Sequence, residues 1–76
     1  MPTNTAPDIE FEAIAIRSTP KAILITTQKD LLEHHWLPLS LISVIYKDKE
    51  VTSVPKGESC LVQCPFWLAQ QREILF

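Results

Sequence analysis

The chain has few of the residues that make tight turns, cross-links or membrane spans. It contains one glycine and two cysteines in 76 residues, so a framework of several disulfides is excluded. No apolar run reaches the roughly 18 residues that a membrane-spanning helix needs. Residues 1–7 have no basic start and no apolar segment, so we expect no signal peptide. Neither sign of charge dominates, and no basic stripe typical of a nucleic-acid binder is visible.

The composition that is present predicts a folded chain of minimal size. Hydrophobic residues make up 46% of the sequence and the formal net charge is −2, which is too apolar and too weakly charged for a disordered protein. We expect a disordered tail over residues 1–8 and a single small domain over residues 9–76. In so short a chain, the free energy gained by burying apolar surface nearly equals the entropy cost of ordering the residues. The core must therefore be dense, or a partner or second copy must complete it.

Three segments of the first half predict β-strands. Residues 9–17 begin by alternating apolar and acidic side chains, and residues 22–27 form a β-branched run. Residues 31–37 are ambiguous. Asp30 and Glu33 have the spacing of a capping box, which would start a short helix ended by Pro38. The alternative is a strand that pairs with residues 22–27, and we favour the strand.

The second half predicts further strands and then a helix. Residues 39–46 and 59–63 are β-rich, and residues 51–54 form a short returning strand. A helix of two to three turns follows Pro65 and runs to the end of the chain, with Trp67, Leu68, Ile74 and Leu75 on one side. The fold class is therefore α+β: a small antiparallel meander or partly open barrel of four to five strands with one C-terminal helix.

The six prolines and the single glycine predict the turns. Tight hairpin turns usually require glycine, and Gly57 is the only one. We therefore expect longer polar loops at residues 18–21, 27–30, 47–50 and 54–58. Within the last of these, Val54-Pro-Lys-Gly57 fits a type I turn.

The cysteines and histidines are interpreted as structural residues. Cys60 and Cys64 lie about 13 Å apart if both are in one strand, too far for a disulfide or a shared metal. We expect both to be buried apolar side chains. The weaker alternatives are a metal site shared with His34 and His35, and disulfide or redox chemistry of the two cysteines if the chain bends at Cys64-Pro65. We expect one half-buried and one surface histidine, no catalytic residue, no metal and no cofactor. Reduced cysteines are typical of a cytoplasmic protein.

The aromatic residues leave three interpretations open. Trp36 and Trp67 are core anchors, or they form part of a protein interface, or they stack nucleic-acid bases. The tentative interaction residues combine aromatic side chains with the lysines of two polar turns: Trp36, Tyr46, Lys47, Lys49, Lys56 and Trp67.

Three short segments carry a resemblance to a known group of proteins. They are Lys21-Ala-Ile-Leu-Ile25, His35-Trp-Leu-Pro-Leu-Ser-Leu-Ile42 and Cys64-Pro-Phe-Trp-Leu-Ala69. This pattern resembles small uncharacterised phage and mobile-element proteins, and it covers residues 20–70. The resemblance implies a strand around Trp36 and a helix after Pro65. Such proteins often have a basic residue where this chain has Leu39, so the resemblance does not imply a contact with phosphate.

The sequence favours a small binding protein over an enzyme. We expect a non-enzymatic accessory factor that acts through a protein partner or self-association, with a phage or mobile-element origin implied by the resemblance. The alternative is a module that binds single-stranded nucleic acid through Lys47, Lys49, Lys56 and an exposed aromatic side chain. The acidic balance of the chain favours the protein partner.

Overall fold

The computed structural model describes residues 8–74, which form six β-strands, one 3-10 turn and one α-helix. Of the predicted tail, residues 1–7 lie outside the described residues and residue 8 begins the first strand. No helix within residues 8–74 is long and apolar enough to cross a membrane. The elements in chain order are β1 (Asp8–Ser18), β2 (Ala22–Thr27), β3 (Asp30–Pro38), the 3-10 turn Leu39–Leu41, β4 (Ser43–Tyr46), β5 (Lys49–Val51), β6 (Ser59–Pro65) and α1 (Phe66–Gln71).

The predicted antiparallel sheet with a C-terminal helix is confirmed, but the strand count was too low. Residues 31–37 are part of β3, so the strand interpretation of this segment is correct and the helix interpretation is wrong. The segment 39–46 divides, because its first three residues form the 3-10 turn and only 43–46 form a strand. The short returning strand is β5, at 49–51 rather than 51–54. Six strands therefore replace the expected four to five.

The order of the strands is not that of a simple meander. Across the sheet the order is β3-β2-β1-β6-β4-β5, and the sheet is not closed into a barrel within the described residues. Strand β6 enters between β1 and β4 and is antiparallel to both. Its pairing with β1 runs from Asp8 opposite Pro65 to Ile14 opposite Ser59. Strands β3 and β5 are left as the two edges of the sheet.

One face of the sheet and the helix enclose the core. Side chains alternate between the two faces of a strand, so every second residue of a strand contributes to the core. In β6 the inward residues are Cys60, Val62 and Cys64, each at most 4% exposed. The remaining buried hydrophobic residues are Phe11, Ala13, Ala15, Ile23, Ile25, Leu37, Val44, Val54, Leu68, Ala69 and Ile74.

The two cysteines are buried and neither is in a disulfide, as expected for apolar core residues. Four positions apart in β6, they lie on the same face of the strand. The disulfide alternative is therefore wrong.

Two hairpins use tight turns where longer loops were expected. Strands β4 and β5 are joined by Lys47 and Asp48 alone, with φ angles of 54° and 66°. Positive φ at both central residues is the geometry of a type I′ turn, which aspartate tolerates better than most residues. Strands β2 and β3 are likewise joined by two residues, Gln28 and Lys29. The scarcity of glycine did not lengthen these turns.

The single glycine occupies a position that requires it. The backbone N–H of Glu58 donates to the carbonyl of Pro55 at 3.1 Å, so the turn spans residues 55–58 and begins one residue later than predicted. Gly57 is its third residue with a φ of 87°, the value that a type II turn needs there. The same turn is tied to β1, because the Gly57 N–H donates to the carbonyl of Ala15 at 2.7 Å.

Helix α1 is shorter than predicted and ends in a Schellman motif. Pro65 is the N-cap residue rather than the first helical residue. At the other end, the N–H of Ile74 donates to the carbonyl of Ala69, and that of Glu73 donates to Gln70. Glu73 has a φ of 57°, in a position where glycine is usual. The reversal buries Ile74, whereas Leu75 lies outside the described residues.

Leu37→Ala should lower the free energy of unfolding by about 2–5 kcal/mol, because Leu37 is fully buried and its truncation leaves a cavity. Leu32→Ala removes the same atoms from the same strand, but Leu32 is 92% exposed and the change should stay within about 0.5 kcal/mol. Urea unfolding of both variants measures the difference. Equal losses would contradict the assignment of Leu37 to the core.

Candidate functional site

A wide bulge in edge strand β3 shapes one side of the candidate site. Ile25 pairs with His35 and Thr27 pairs with Asp30, so Thr26 alone stands opposite the four residues 31–34. The Thr26 hydroxyl lies 3.0 Å from the carbonyl oxygen of Asp30 and 2.9 Å from that of Glu33. It thus ties both ends of the bulge to β2, and Thr26 itself is buried. Leu31 and Leu32 lie in the bulge and are exposed instead of packing in the core.

The bulge and the helix together line an open apolar cavity of about 630 Å³, which we name the acidic groove. Its apolar side chains include Leu32, which is 92% exposed, and Phe66, which is 42% exposed. Large side chains with this exposure on both walls of one groove are typical of an interaction site rather than of scattered surface residues. The described residues that line it are Asp30, Leu32, Glu33, Phe66, Ala69, Gln70, Glu73 and Ile74.

The charged residues of the acidic groove are all of one sign. Asp30 and Glu33 come from β3, and Glu73 comes from the residue that reverses the chain after α1. Neither lysine, arginine nor histidine is found among the eight described lining residues. The nearest bases along the chain are Lys29, which lies in the turn before Asp30, and Arg72, which precedes Glu73 and donates to the carbonyl of Trp36.

A second, polar cavity of about 510 Å³ adjoins the acidic groove and shares Glu33 and Glu73 with it. Here the Nε–H of Arg72 donates to the carbonyl of Trp36 at 3.2 Å, which ties the end of the helix to β3. His35, which also lines this cavity, is 7% exposed, and its Nε2 is buried without a hydrogen-bond partner. An unsatisfied buried polar atom costs stability, so His35 is a weak point of the core.

A basic groove lies on the outer face of the sheet. Its described lining residues, none of them acidic, enclose about 540 Å³ and are Ile16, Arg17, Ser18, Leu24, Val54 and Lys56. Leu24 pairs with Arg17 on one side and with Trp36 on the other. Directly paired residues point to the same face, so these three side chains form a row about 10 Å long across the sheet.

The structure does not bring the six tentative interaction residues together. Trp36 and Trp67 are 43% and 46% exposed, so the interpretation of both as core anchors is wrong. Tyr46, Lys47 and Lys49 lie around the β4–β5 turn, at the other edge of the sheet from Trp36.

Tyr46, beside the β4–β5 turn, contacts both Lys47 and Glu58. The Tyr46 hydroxyl donates to a carboxylate oxygen of Glu58 at 3.0 Å, and the Lys47 ammonium lies 5.3 Å from the centre of the Tyr46 ring. Lys56 lies apart from them and shares the basic groove with Arg17.

Sequence reasoning missed the residues that line the grooves. Leu32 and Phe66 were interpreted only as parts of regular elements, and Arg17 only as the end of a strand. No local pattern marked Leu32, because the capping-box spacing of Asp30 and Glu33 favours the start of a helix and not a bulge in a strand. The signal at Phe66 was its place beside Pro65, where a helix begins abruptly at the end of a strand.

The fold separates the candidate metal ligands. His35 is buried and His34 exposed, as the alternation of a strand dictates, while Cys60 and Cys64 lie in the core. Within residues 8–74, no three side chains of histidine, cysteine, aspartate or glutamate come close enough to hold a metal ion. Burial raises the pKa of the Cys60 thiol to about 11, and the nearby carboxylate of Glu12 acts in the same direction. Such a thiol is a poor nucleophile at neutral pH.

No protein-family model, no curated protein and no solved structure gives a significant match to this chain. The resemblance to small phage and mobile-element proteins therefore stays a prediction.

The Cys60 thiol should make the protein less stable in alkali. Its pKa is about 11 in the folded state against 9.0 for an ordinary thiol, so the folded state keeps a proton that the unfolded chain loses. The stabilisation is complete below about pH 9 and is lost as the pH rises towards about 11. Urea unfolding at about pH 8 and about pH 10 should show a smaller loss in Cys60→Ala than in the wild type. Equal losses in the two proteins would contradict this origin of the pH dependence.

Proposed function

We propose that the protein is a non-enzymatic binding module that holds a short segment of a partner protein in the acidic groove. The observation that carries the proposal is the exposure of Leu32 and Phe66 on the two walls of one groove. Burying a leucine side chain that is otherwise in water contributes about 1.5–3 kcal/mol. A partner that covers Leu32 would therefore gain binding free energy. Leu31, which precedes Leu32, and Trp67, which follows Phe66, are also exposed.

The construction of the groove supports binding rather than structural use. Its walls are held independently of any ligand, by the Thr26 hydroxyl at the bulge and by the Schellman motif after α1. A preformed apolar groove needs little reordering when it binds, which favours affinity. Its volume lies within the range of about 300–1,000 Å³ found for ligand pockets.

The proposal is tested by selecting a displayed library of random peptides on the purified protein and measuring the affinity of the enriched peptides. Leu32→Ser and Phe66→Ser should each weaken binding by about tenfold or more, as expected for central apolar contacts. Leu41→Ser is the matched control, because Leu41 is 44% exposed but lies outside the groove, and its affinity should match the wild type. The proposal is wrong if the selection enriches no peptide, or if Leu32→Ser binds the enriched peptides as tightly as the wild type does.

A second candidate function, the binding of single-stranded nucleic acid, is favoured by the row of Arg17, Leu24 and Trp36. An exposed tryptophan in one row with Arg17, which shares the basic groove with Lys56, combines a stacking surface with phosphate contacts. This site differs from the one expected from the sequence, because Lys47 and Lys49 lie at the opposite edge of the sheet. The net charge of −2 makes it the weaker candidate.

On this second candidate, Trp36→Ala should weaken the binding of a labelled single-stranded oligonucleotide by about fivefold or more, since stacking is worth about 1–3 kcal/mol per base. Arg17→Ala should reduce the dependence on salt by about one phosphate contact. Lys47→Ala should leave affinity unchanged. Fluorescence anisotropy at several salt concentrations gives all three results, and a wild-type protein that ignores the oligonucleotide excludes this function.

A further inference from the structure

We propose that the partner segment held in the acidic groove carries an apolar side chain flanked by lysine or arginine. This inference rests on the proposed function of the groove and adds the chemistry of the partner. It follows from two features of the lining that are independent of each other, an apolar floor and a rim of a single charge sign.

The floor of the groove fits an apolar side chain rather than a polar one. Leu32 and Phe66 form the walls of the cavity, and Ala69 and Ile74, from the helix and the chain reversal, lie at its bottom. Ala69 and Ile74 are almost fully buried, so the bottom of the groove is part of the core. A polar side chain placed there would lose its water without gaining hydrogen bonds from these residues.

The rim of the groove selects for positive charge around that side chain. Asp30 and Glu33 lie on the strand side and Glu73 on the helix side, so a bound segment passes between acidic side chains. Within residues 8–74, none of the three forms a salt bridge that would neutralise it. Opposite charges across an interface favour the correct partner, and like charges exclude others. A segment with acidic neighbours is therefore rejected even when its apolar side chain fits.

The selectivity comes from the charges of the acidic groove itself rather than from the net charge of the chain, because the groove on the outer face has the opposite sign. Among the lining residues that the structure describes, the basic groove has Arg17 and Lys56 and no acid, while the acidic groove has three acids and no base. The chain as a whole is only weakly negative. The charges are thus segregated between two surfaces, and the acidic groove presents the stronger single-sign field to a partner.

Three synthetic peptides on one scaffold test the inference with the full chain. The first has a central leucine flanked by lysine and arginine, the second has glutamate in place of both bases, and the third has serine in place of the leucine. Fluorescence anisotropy should show binding of the first peptide, with the other two about tenfold weaker or more. Raising the ionic strength from about 0.1 M to about 1 M, which shortens the Debye length from about 10 Å to about 3 Å, should weaken the first peptide several-fold.

A double variant, Glu33→Gln with Glu73→Gln, isolates the contribution of the rim. It keeps the size of both side chains and leaves the apolar floor intact, so its affinity for the basic peptide should fall by about tenfold while that for the acidic peptide does not fall. Glu50→Gln is the matched control, since Glu50 is exposed in β5 at the opposite edge of the sheet, and it should bind all three peptides like the wild type.

The outcomes separate this inference from the function on which it rests. If the basic and acidic peptides bind equally and Leu32→Ser weakens both, the groove binds peptides but the charge selection is overturned. If selection yields no peptide at all, the proposed function fails as well. Binding that appears only in a Leu75→Ser/Phe76→Ser variant would mean that the chain's own C-terminal residues occupy the groove. Self-association that Leu32→Ser abolishes would mean that a second copy does. Either result would overturn the assignment of the partner.

Discussion

The pairing of β6 between β1 and β4 is the contact on which the rest of the structure depends. Without it, β1–β3 and β4–β5 would be two separate small sheets, because no other pairing joins them within the described residues. The pairing closes a long loop, since Asp8 lies opposite Pro65. The entropy cost of such a loop grows only slowly with its length, and the buried side chains of β6 offset it. Cys60, Val62 and Cys64 contribute to the core that both halves share.

The same strand determines where the candidate site lies. Helix α1 begins directly after β6, with Pro65 as its N-cap, so the position of β6 fixes the position of the helix. The helix then ends in a Schellman motif after six residues, and its last residues face the edge strand β3. The Arg72 contact to the Trp36 carbonyl links the two elements. The acidic groove is the space left between a helix placed by β6 and a strand displaced by its bulge.

The two edges of the sheet are built differently, which bears on how the protein associates. Strand β5 has three residues, two of them charged, and such a short polar edge discourages pairing with other chains. Strand β3 is longer, but its bulge and the contact from Arg72 interrupt the row of free backbone groups. A flat, regular edge is therefore absent from the described sheet. Association through side chains in a groove is more consistent with this construction than the addition of a further strand.

Local patterns predicted the elements whose conformation depends on neighbours along the chain. The β-branched run at 22–27 became β2, and Pro65 marked the start of the helix. Turn geometry was predicted less well. Lys47 and Asp48 adopt positive φ angles in a tight turn although neither is glycine, because the pairing of β4 with β5 stabilises a conformation that is unfavourable in isolation.

The exposure of the aromatic residues was not predictable in the same way. Phe11 and Trp36 both lie in strands that alternate, yet one is buried and the other exposed, because only the packing of the sheet decides which face is covered. In the helix too, packing decides which side is covered: Trp67 is exposed, whereas Leu68 and Ala69 are buried.

The sequence by itself determined that the chain is a small antiparallel sheet with a C-terminal helix and two reduced, buried cysteines. These properties follow from composition and from the periods of two and 3.6 residues that strands and helices impose. Only the tertiary structure decided that β6 lies in the middle of the sheet, that four residues bulge from β3, and that acidic and basic side chains are segregated into separate grooves. Those features depend on contacts between residues far apart in sequence, and a local pattern carries no information about which distant segments will meet.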